Sequence, residues 1–239
     1  MSARPKVLLT RRWTAEVEER LAQQFDVTLN QGDVPMDAAQ LRAAMSQFDA
    51  ICPTVTDRID RNVLSAPDQR VRLIGNFGVG FNHIDMEAAR EFGISVSNTP
   101  DVLTDTTADL AILLMLMVTR RAGEGERELR SGKWTGWRPT HMMGQSLSGK
   151  TLGLIGFGRI AQSTARKARL GLDMRIAYNS RRRAPHAVEA EHHATFIDSV
   201  DELVATCDVI SLHCPGGAAT HHLISAERLR LMKPSAVLV

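Results

Sequence analysis

Short apolar runs alternate with helical stretches along almost all of this chain, and that alternation limits its fold more than any other feature of the sequence. Apolar runs with a helix between each pair bury themselves as a parallel sheet with helices on its faces. Strand patterns fall at residues 6–10, 25–29, 50–53, 73–76 and 94–97, with helical patterns at 14–24, 36–45, 61–64 and 84–92. A second series starts at Thr151, with strands at 151–155, 174–178, 195–197 and 208–213 and a last apolar run at 236–239. The expectation is an α/β protein with two doubly wound parallel-sheet domains. Open sheets of this kind place ligands beyond the C-terminal ends of their strands, which singles out the loops after Cys52 and Phe77.

The turn-rich tetrapeptide Asn98-Thr99-Pro100-Asp101 leads into a long helix over 102–120, so the boundary is placed there, giving domains 1–100 and 101–239. Within that helix, Leu110 to Val118 has no polar face and must be covered by the second domain or by another subunit. It is far below the roughly 18 residues needed to span a bilayer. A more polar segment over 122–130 precedes a loop, SGKWTGWRPTHMMG, carrying Trp134 and Trp137. Two readings of these tryptophans stand open, contact with a partner and a plug between domains. Further on, Ser199 with Glu202 makes a capping-box pattern and Ser225 caps the helix that ends near Met232.

Composition excludes several function classes. A formal charge of +2 with dispersed Lys and Arg offers no nucleic-acid surface. The three cysteines, Cys52, Cys207 and Cys214, have neither zinc-site spacing nor disulfide density and are read as reduced and structural. The N-terminus flows directly into a strand pattern without a signal-peptide core, so a cytoplasmic location without membrane association is expected.

The chemistry concentrates in GLIGFGRIA, residues 153–161. Gly156, Gly158 and Ala161 fit the G-x-G-x-x-G/A pattern after an apolar strand and at the opening of a helix, which is the context a dinucleotide site requires. There the first glycine permits a tight bend, the second lets the backbone approach a pyrophosphate, and the small third residue allows close packing. The helix N-terminus adds free N–H groups and the positive end of its dipole. At the end of the next strand, where NAD-preferring sites carry Asp or Glu, the sequence reads Tyr178-Asn179-Ser180-Arg181-Arg182-Arg183. Asn, Ser and Arg can donate to a 2′-phosphate, so NADPH is expected to be preferred, with NAD as a weaker option.

Taken in order, GNFGVGFNHID (75–85), NTPDVLTDTTADLA (98–111), RSGKWTGWRP (130–139), GKTLGLIGFGRIA (149–161) and LHCP (212–215) resemble successive motifs of the D-isomer-specific 2-hydroxyacid dehydrogenases. Within that family the Trp loop and the Asn-Ser-Arg segment are similar to the glyoxylate/hydroxypyruvate reductases. The resemblance implies a flavodoxin-like substrate domain and a Rossmann NAD(P)-binding domain, the second incomplete, and NAD(P)H-dependent reduction of a small 2-keto acid to the D-2-hydroxy acid. It places the substrate carboxylate on the backbone of Gly78, Val79 and Gly80, with Val55 in the neighbouring loop; successive N–H groups in such a turn form an anion-binding nest. It puts Thr107 against the cofactor, Gly156, Phe157, Gly158, Arg159 and Ile160 in the pyrophosphate turn, and Asn179, Ser180 and Arg181 at the adenosine ribose or its phosphate. Cys214, Pro215 and Thr220 would line the cofactor from the last loop, and the apolar helix with the Trp arm would form a homodimer.

The family's proton-donating His, its Glu partner and its orienting Arg are expected only after Val239, beyond the strand at 236–239, so no catalytic residue maps onto this chain. Seven histidines, His83, His141, His186, His192, His193, His221 and His222, are expected to face solvent, and His213 to stand behind the cofactor. The chain ends on four apolar residues, Ala236 to Val239, in an expected buried strand. The expectation is a fragment of low stability that does not turn over substrate at a normal rate. Two alternatives remain, a dinucleotide-sensing protein of the corepressor type and a formate or phosphoglycerate dehydrogenase; the missing acid after Tyr178 disfavours the latter pair.

Overall fold

A computed structural model describes residues 3–239, and contacts divide them between Val102 and Leu103 into two units with a sheet each. In the first unit the elements run β1 (Lys6–Leu9), α1 (Ala15–Gln24), β2 (Asp26–Leu29), α2 (Ala38–Gln47), β3 (Ala50–Cys52), α3 (Arg61–Leu64), β4 (Leu73–Gly75), α4 (Met86–Glu91) and β5 (Ser95–Ser97). Among the described residues its sheet has the order β2-β1-β3-β4-β5, with every pairing parallel. This is the doubly wound order whose direction reverses between β1 and β3. Leu8, Ile51 and Ile74 lie side by side across three strands and are buried under Leu41, Met45 and Leu64 from the helices. Each such side chain stabilises the unit by roughly 1.5–3 kcal/mol.

Polar residues decide where the helices of this unit begin. Asp37 accepts from the Gln40 N–H (2.8 Å) while the Gln40 side chain accepts from the Asp37 N–H (2.9 Å), so α2 starts at Ala38 rather than at Met36. Asp85 caps α4 by a single bond, accepting from the Ala88 N–H (2.9 Å), which moves its start from Ile84 to Met86.

In the second unit α5 (Thr104–Thr119) and α6 (Ala122–Arg130) precede β6 (Thr151–Ile155), α7 (Arg159–Leu172), β7 (Arg175–Asn179), α8 (His186–His192), β8 (Ala194–Phe196), α9 (Val200–Thr206), β9 (Val209–Leu212), a 3₁₀ turn at Ala218–Thr220, α10 (Ala226–Leu231) and β10 (Val237–Leu238). The order β10-β9-β6-β7-β8, again parallel, is that of a Rossmann sheet and reverses between β6 and β9. Helix α8 has no counterpart in the apolar pattern, because the residues that bury it, Glu189 and His192, are polar. Helix α5 buries Ala108, Ala111 and Met115 and leaves Leu110, Leu113, Leu114, Met117 and Val118 exposed. Among the described residues no helix is long and apolar enough to cross a membrane.

The last strand corrects the expectation of a wholly buried run at 236–239. Val237 is buried, whereas Leu238 is exposed and Val239 only half-buried, because β10 pairs with β9 alone among the described residues. Val239 lies just past the strand yet extends its ladder: its N–H donates to the Ile210 carbonyl (2.8 Å) and its carbonyl accepts from the Leu212 N–H (3.0 Å). Its side chain packs against the cluster that holds Val209 and Val237.

Candidate functional site

At the crest of the second sheet the chain leaves β6, turns at Gly156 and enters α7. Gly156 has φ +92°, and a Cβ there would stand 2.7–2.8 Å from the backbone of His213 and Cys214, where the loop after β9 passes. Only glycine lets these two loops meet at the reversal point of the sheet. Gly158 caps α7, and a Cβ added to it would meet nothing within 4 Å, so its backbone stands open to a ligand. Ala161 is fully buried, as the close helix and strand packing requires. The exposed start of a 14-residue helix therefore directs N–H groups and a positive dipole end into open space, which fits a pyrophosphate. Phe157 differs from expectation: its side chain is buried, stacked on Tyr178 at 4.1 Å and edge-on to His192 at 5.9 Å, so only its backbone can meet a ligand.

Beyond β7 the basic run divides into two parts. Arg183 forms a two-pronged pair with Glu189 (2.8 and 2.9 Å), and the same carboxylate accepts from the Tyr178 hydroxyl at 2.7 Å. The Tyr178 oxygen in turn accepts from the Ala184 N–H, closing the loop from 180 to 184. An acid does approach the end of β7, then, but from α8 and already spent. Both amide hydrogens of Asn179 go to the carbonyls of Ile197 and Asp198, and the Ser180 hydroxyl donates to the Arg182 carbonyl. These two side chains are engaged in the loop, contrary to the expectation that they donate to a phosphate. Arg181 and Arg182 are exposed, and the acid held by this loop is taken by Arg183.

The Arg183 guanidinium and the Tyr178 hydroxyl hold the Glu189 carboxyl down to about 2, well below the usual carboxylate range. A folded-state value below the unfolded one adds stability above the unfolded pKa of about 4.3, and that stability is lost as pH falls toward the folded value. Glu189→Gln is expected to lower the urea midpoint at neutral pH and to flatten its decline between about pH 4.5 and 2. An unchanged acid limb would count against the clamp.

In the first unit the loops after β3 and β4 lie side by side, joined by a parallel bridge between Thr54 and Phe77. Asp57, 1% exposed, accepts from the Thr10 hydroxyl (2.6 Å) and the Thr54 N–H (2.8 Å), tying the loop that carries Val55 to the end of β1. Val55 is exposed, and a Cβ on Gly78 would come within 2.8 Å of its Cγ1, so the two expected substrate contacts are neighbours because residue 78 is glycine. The Gly78 N–H is occupied by the Asn76 carbonyl at 3.0 Å. Gly78 therefore has no free amide to give to the expected nest, whereas the N–H groups of Val79 and Gly80 have no acceptor among the described residues. Burial pushes the Cys52 thiol up to about 11, which keeps it protonated at neutral pH.

Residues 112–239 match the D-isomer specific 2-hydroxyacid dehydrogenase, NAD binding domain. Over 240 residues the chain is 40% identical to a glyoxylate reductase of Thermococcus onnurineus, covering 99% of this chain and 71% of that enzyme. The chain belongs to the D-isomer specific 2-hydroxyacid dehydrogenase family. Another member, a glycerate dehydrogenase of Hyphomicrobium methylovorum, is 32% identical over 99% of this chain and 73% of its own. Among solved dehydrogenase structures, a protein from Polaromonas sp. JS6 66 described as a D-isomer specific 2-hydroxyacid dehydrogenase superposes with TM-score 0.87 at 35% identity, over 98% of this chain and 72% of that one. A glyoxylate reductase from Paecilomyes thermophila gives TM-score 0.81 at 31% identity, over 100% and 73%.

In this member of the family the placement of the histidines departs in part from expectation. His186, His193, His221 and His222 are exposed, whereas His83 and His141 are half-buried and His192, the last residue of α8, is buried against Phe157. His213 is half-buried, its Nε2 2.9 Å from the Ser211 hydroxyl, and burial lowers its pKa. His141 stands with Nε2 2.9 Å from Glu128, outside hydrogen-bonding geometry. Thr107 is half-buried on α5, whose Asp105 and Asp109 anchor it to Ser163 and Lys167 of α7. In the loop after β9, Cys214 packs against the cluster around Leu203, Pro215 is exposed and the Thr220 hydroxyl donates to the Pro215 carbonyl.

Proposed function

We propose that the chain binds NADPH in preference to NADH at the turn 156–160, and a small 2-keto acid, glyoxylate or hydroxypyruvate, at the turn 78–80. The observation that carries this reading is the bare glycine turn at the reversal point of the second sheet, followed just past β7 by the exposed Arg181 in a loop whose Glu189 carboxylate is already paired with Arg183. The N–H groups at the start of α7 hold the pyrophosphate, and Arg181 holds the 2′-phosphate in place of the Asn179 and Ser180 donors. The Val79 and Gly80 amides hold the keto acid's carboxylate, with Val55 as an apolar wall. The nicotinamide, when bound, supplies the hydride that reduces the 2-keto carbon. No histidine of this chain is assigned the proton-donor role, so binding of both ligands with little turnover is expected. Fluorescence titration with NADPH and NADH, followed by an oxidation assay with each keto acid, tests the whole reading. Equal affinity for the two nucleotides removes the NADPH preference, and no binding of either removes the site.

The exposed apolar side of α5 and the exposed Trp134 and Trp137 support a two-fold dimer as the assembled form. Light scattering is expected to give about twice the 26.3 kDa chain mass, and Leu114→Asp to give the monomer. A wild-type monomer with intact secondary structure contradicts this assembly.

A further inference from the structure

We propose that Asn76 and His83 are positioning residues that aim three consecutive amides, those of Val79, Gly80 and Phe81, at the substrate carboxylate. The proposal rests on the reading of this turn as the carboxylate site and extends it by naming what orients it. Asn76 stands just past β4, 2% exposed, with its own N–H bound to the Ser97 carbonyl at 2.9 Å. Its Nδ2 donates to the carbonyls of Gly78 (3.1 Å) and Gly80 (2.9 Å), and Asn98 Nδ2 donates to the carbonyl between them, that of Val79 (2.9 Å). In a planar trans peptide the C=O of one residue and the N–H of the next point in opposite directions. Drawing the carbonyls of 78 and 80 toward Asn76 therefore turns the N–H groups of 79 and 81 away from Asn76, and drawing that of 79 toward Asn98 turns the N–H of 80 away from Asn98. None of those three has an acceptor among the described residues.

His83 completes the seating of the Asn76 amide by binding the end that faces away from the turn. The two ends of an amide are nearly equal in size, and hydrogen bonding alone decides their order. Nδ2 must face two carbonyl oxygens, so Oδ1 is the acceptor for His83 Nε2 at 2.9 Å, and that nitrogen carries the hydrogen. The ring is held in place by its backbone: the His83 carbonyl accepts from the Ile59 N–H at 2.9 Å, and Ile84 bridges to Ile59. Without the His83 donor, Oδ1 is left buried without a partner, and the amide, held at Nδ2 alone, is free to tilt away from Gly78 and Gly80 and loosen the peptides.

The test is a nitrogen-15 resolved NMR titration of the full chain with glyoxylate, reading the amides of Val79, Gly80 and Phe81, with NADPH affinity as a control. His83→Phe keeps the ring and loses the donor; His83→Gln keeps a donor at the same reach. Glyoxylate affinity is expected to fall about tenfold in His83→Phe and to return to within about threefold of wild type in His83→Gln. Asn76→Asp removes both donations to the turn and is expected to lose at least about tenfold. NADPH affinity is expected to hold in each. Wild-type glyoxylate affinity in His83→Phe, or no recovery in His83→Gln, overturns the positioning role. Wild-type amides that do not respond to glyoxylate overturn the carboxylate site itself, a separate outcome. Should Asn76→Asp fail to fold, the two His83 variants decide.

Discussion

Gly156→Ala is expected to abolish measurable NADPH binding and to destabilise the second unit by about 3 kcal/mol. Two costs add at this position. The backbone holds φ +92°, which a side chain strains, and the new Cβ would stand 2.7–2.8 Å from the main chain of His213 and Cys214. A main chain cannot swing aside as a flexible side-chain tip does, so the loops after β6 and β9 must separate at the point where the sheet reverses. Gly158→Ala provides the contrast. Its φ of −77° suits any residue and no atom lies within 4 Å of the added carbon, so the unfolding midpoint is expected to stay put while NADPH affinity falls by about tenfold or more. A methyl group there occupies the approach of the pyrophosphate. Urea unfolding and fluorescence titration on both variants separate the two effects, and equal loss of stability in both would show that the turn is structural only.

Arg181→Ala carries the other large effect, and it is selective. A charge-assisted contact to phosphate contributes about 1.5–3 kcal/mol, so NADPH affinity is expected to fall between about tenfold and a hundredfold. NADH lacks the 2′-phosphate and should bind as before. Arg183→Ala makes a different prediction within the same run of arginines: it breaks the Glu189 pair and the loop with it, so both nucleotides weaken together. If Arg181→Ala leaves the ratio of affinities unchanged, the preference for NADPH has no basis in this loop.

How much is readable in the sequence depends on the range of the interactions involved. Apolar runs such as 151–155 announce a buried parallel strand by themselves, and every expected strand is present within one or two residues. Burial at the last of them is less legible: four apolar residues read as an interior strand, yet Val239 is half-buried because the number of strands beside it is a property of the sheet. Gly156 and Gly158 are legible because the turn they allow is local. The pairing of Glu189 with Tyr178 and Arg183 is not, since it depends on α8, which is short and carries its buried contacts on Glu189 and His192 rather than on an apolar stripe. The same reason hides Asn76: a polar residue at a strand end declares nothing until its amide is seen spanning two carbonyls of the following turn. Phe157 lies between two glycines and so reads as a cofactor residue, yet the aromatic stack on Tyr178, formed with the neighbouring strand, claims its ring. Local chemistry is written in the sequence, and the sharing of polar groups among strands and helices is written only in the fold.

A crystal of this chain soaked with NADPH tests the dinucleotide turn without any intervening assumption. The diphosphate is expected over the start of α7, within hydrogen-bonding distance of the Gly158, Arg159 and Ile160 amides, with the 2′-phosphate at Arg181. A nucleotide bound elsewhere on the second unit, or density at this turn that vanishes when phosphate is left out of the soak, rules out a dinucleotide site at residues 156–160.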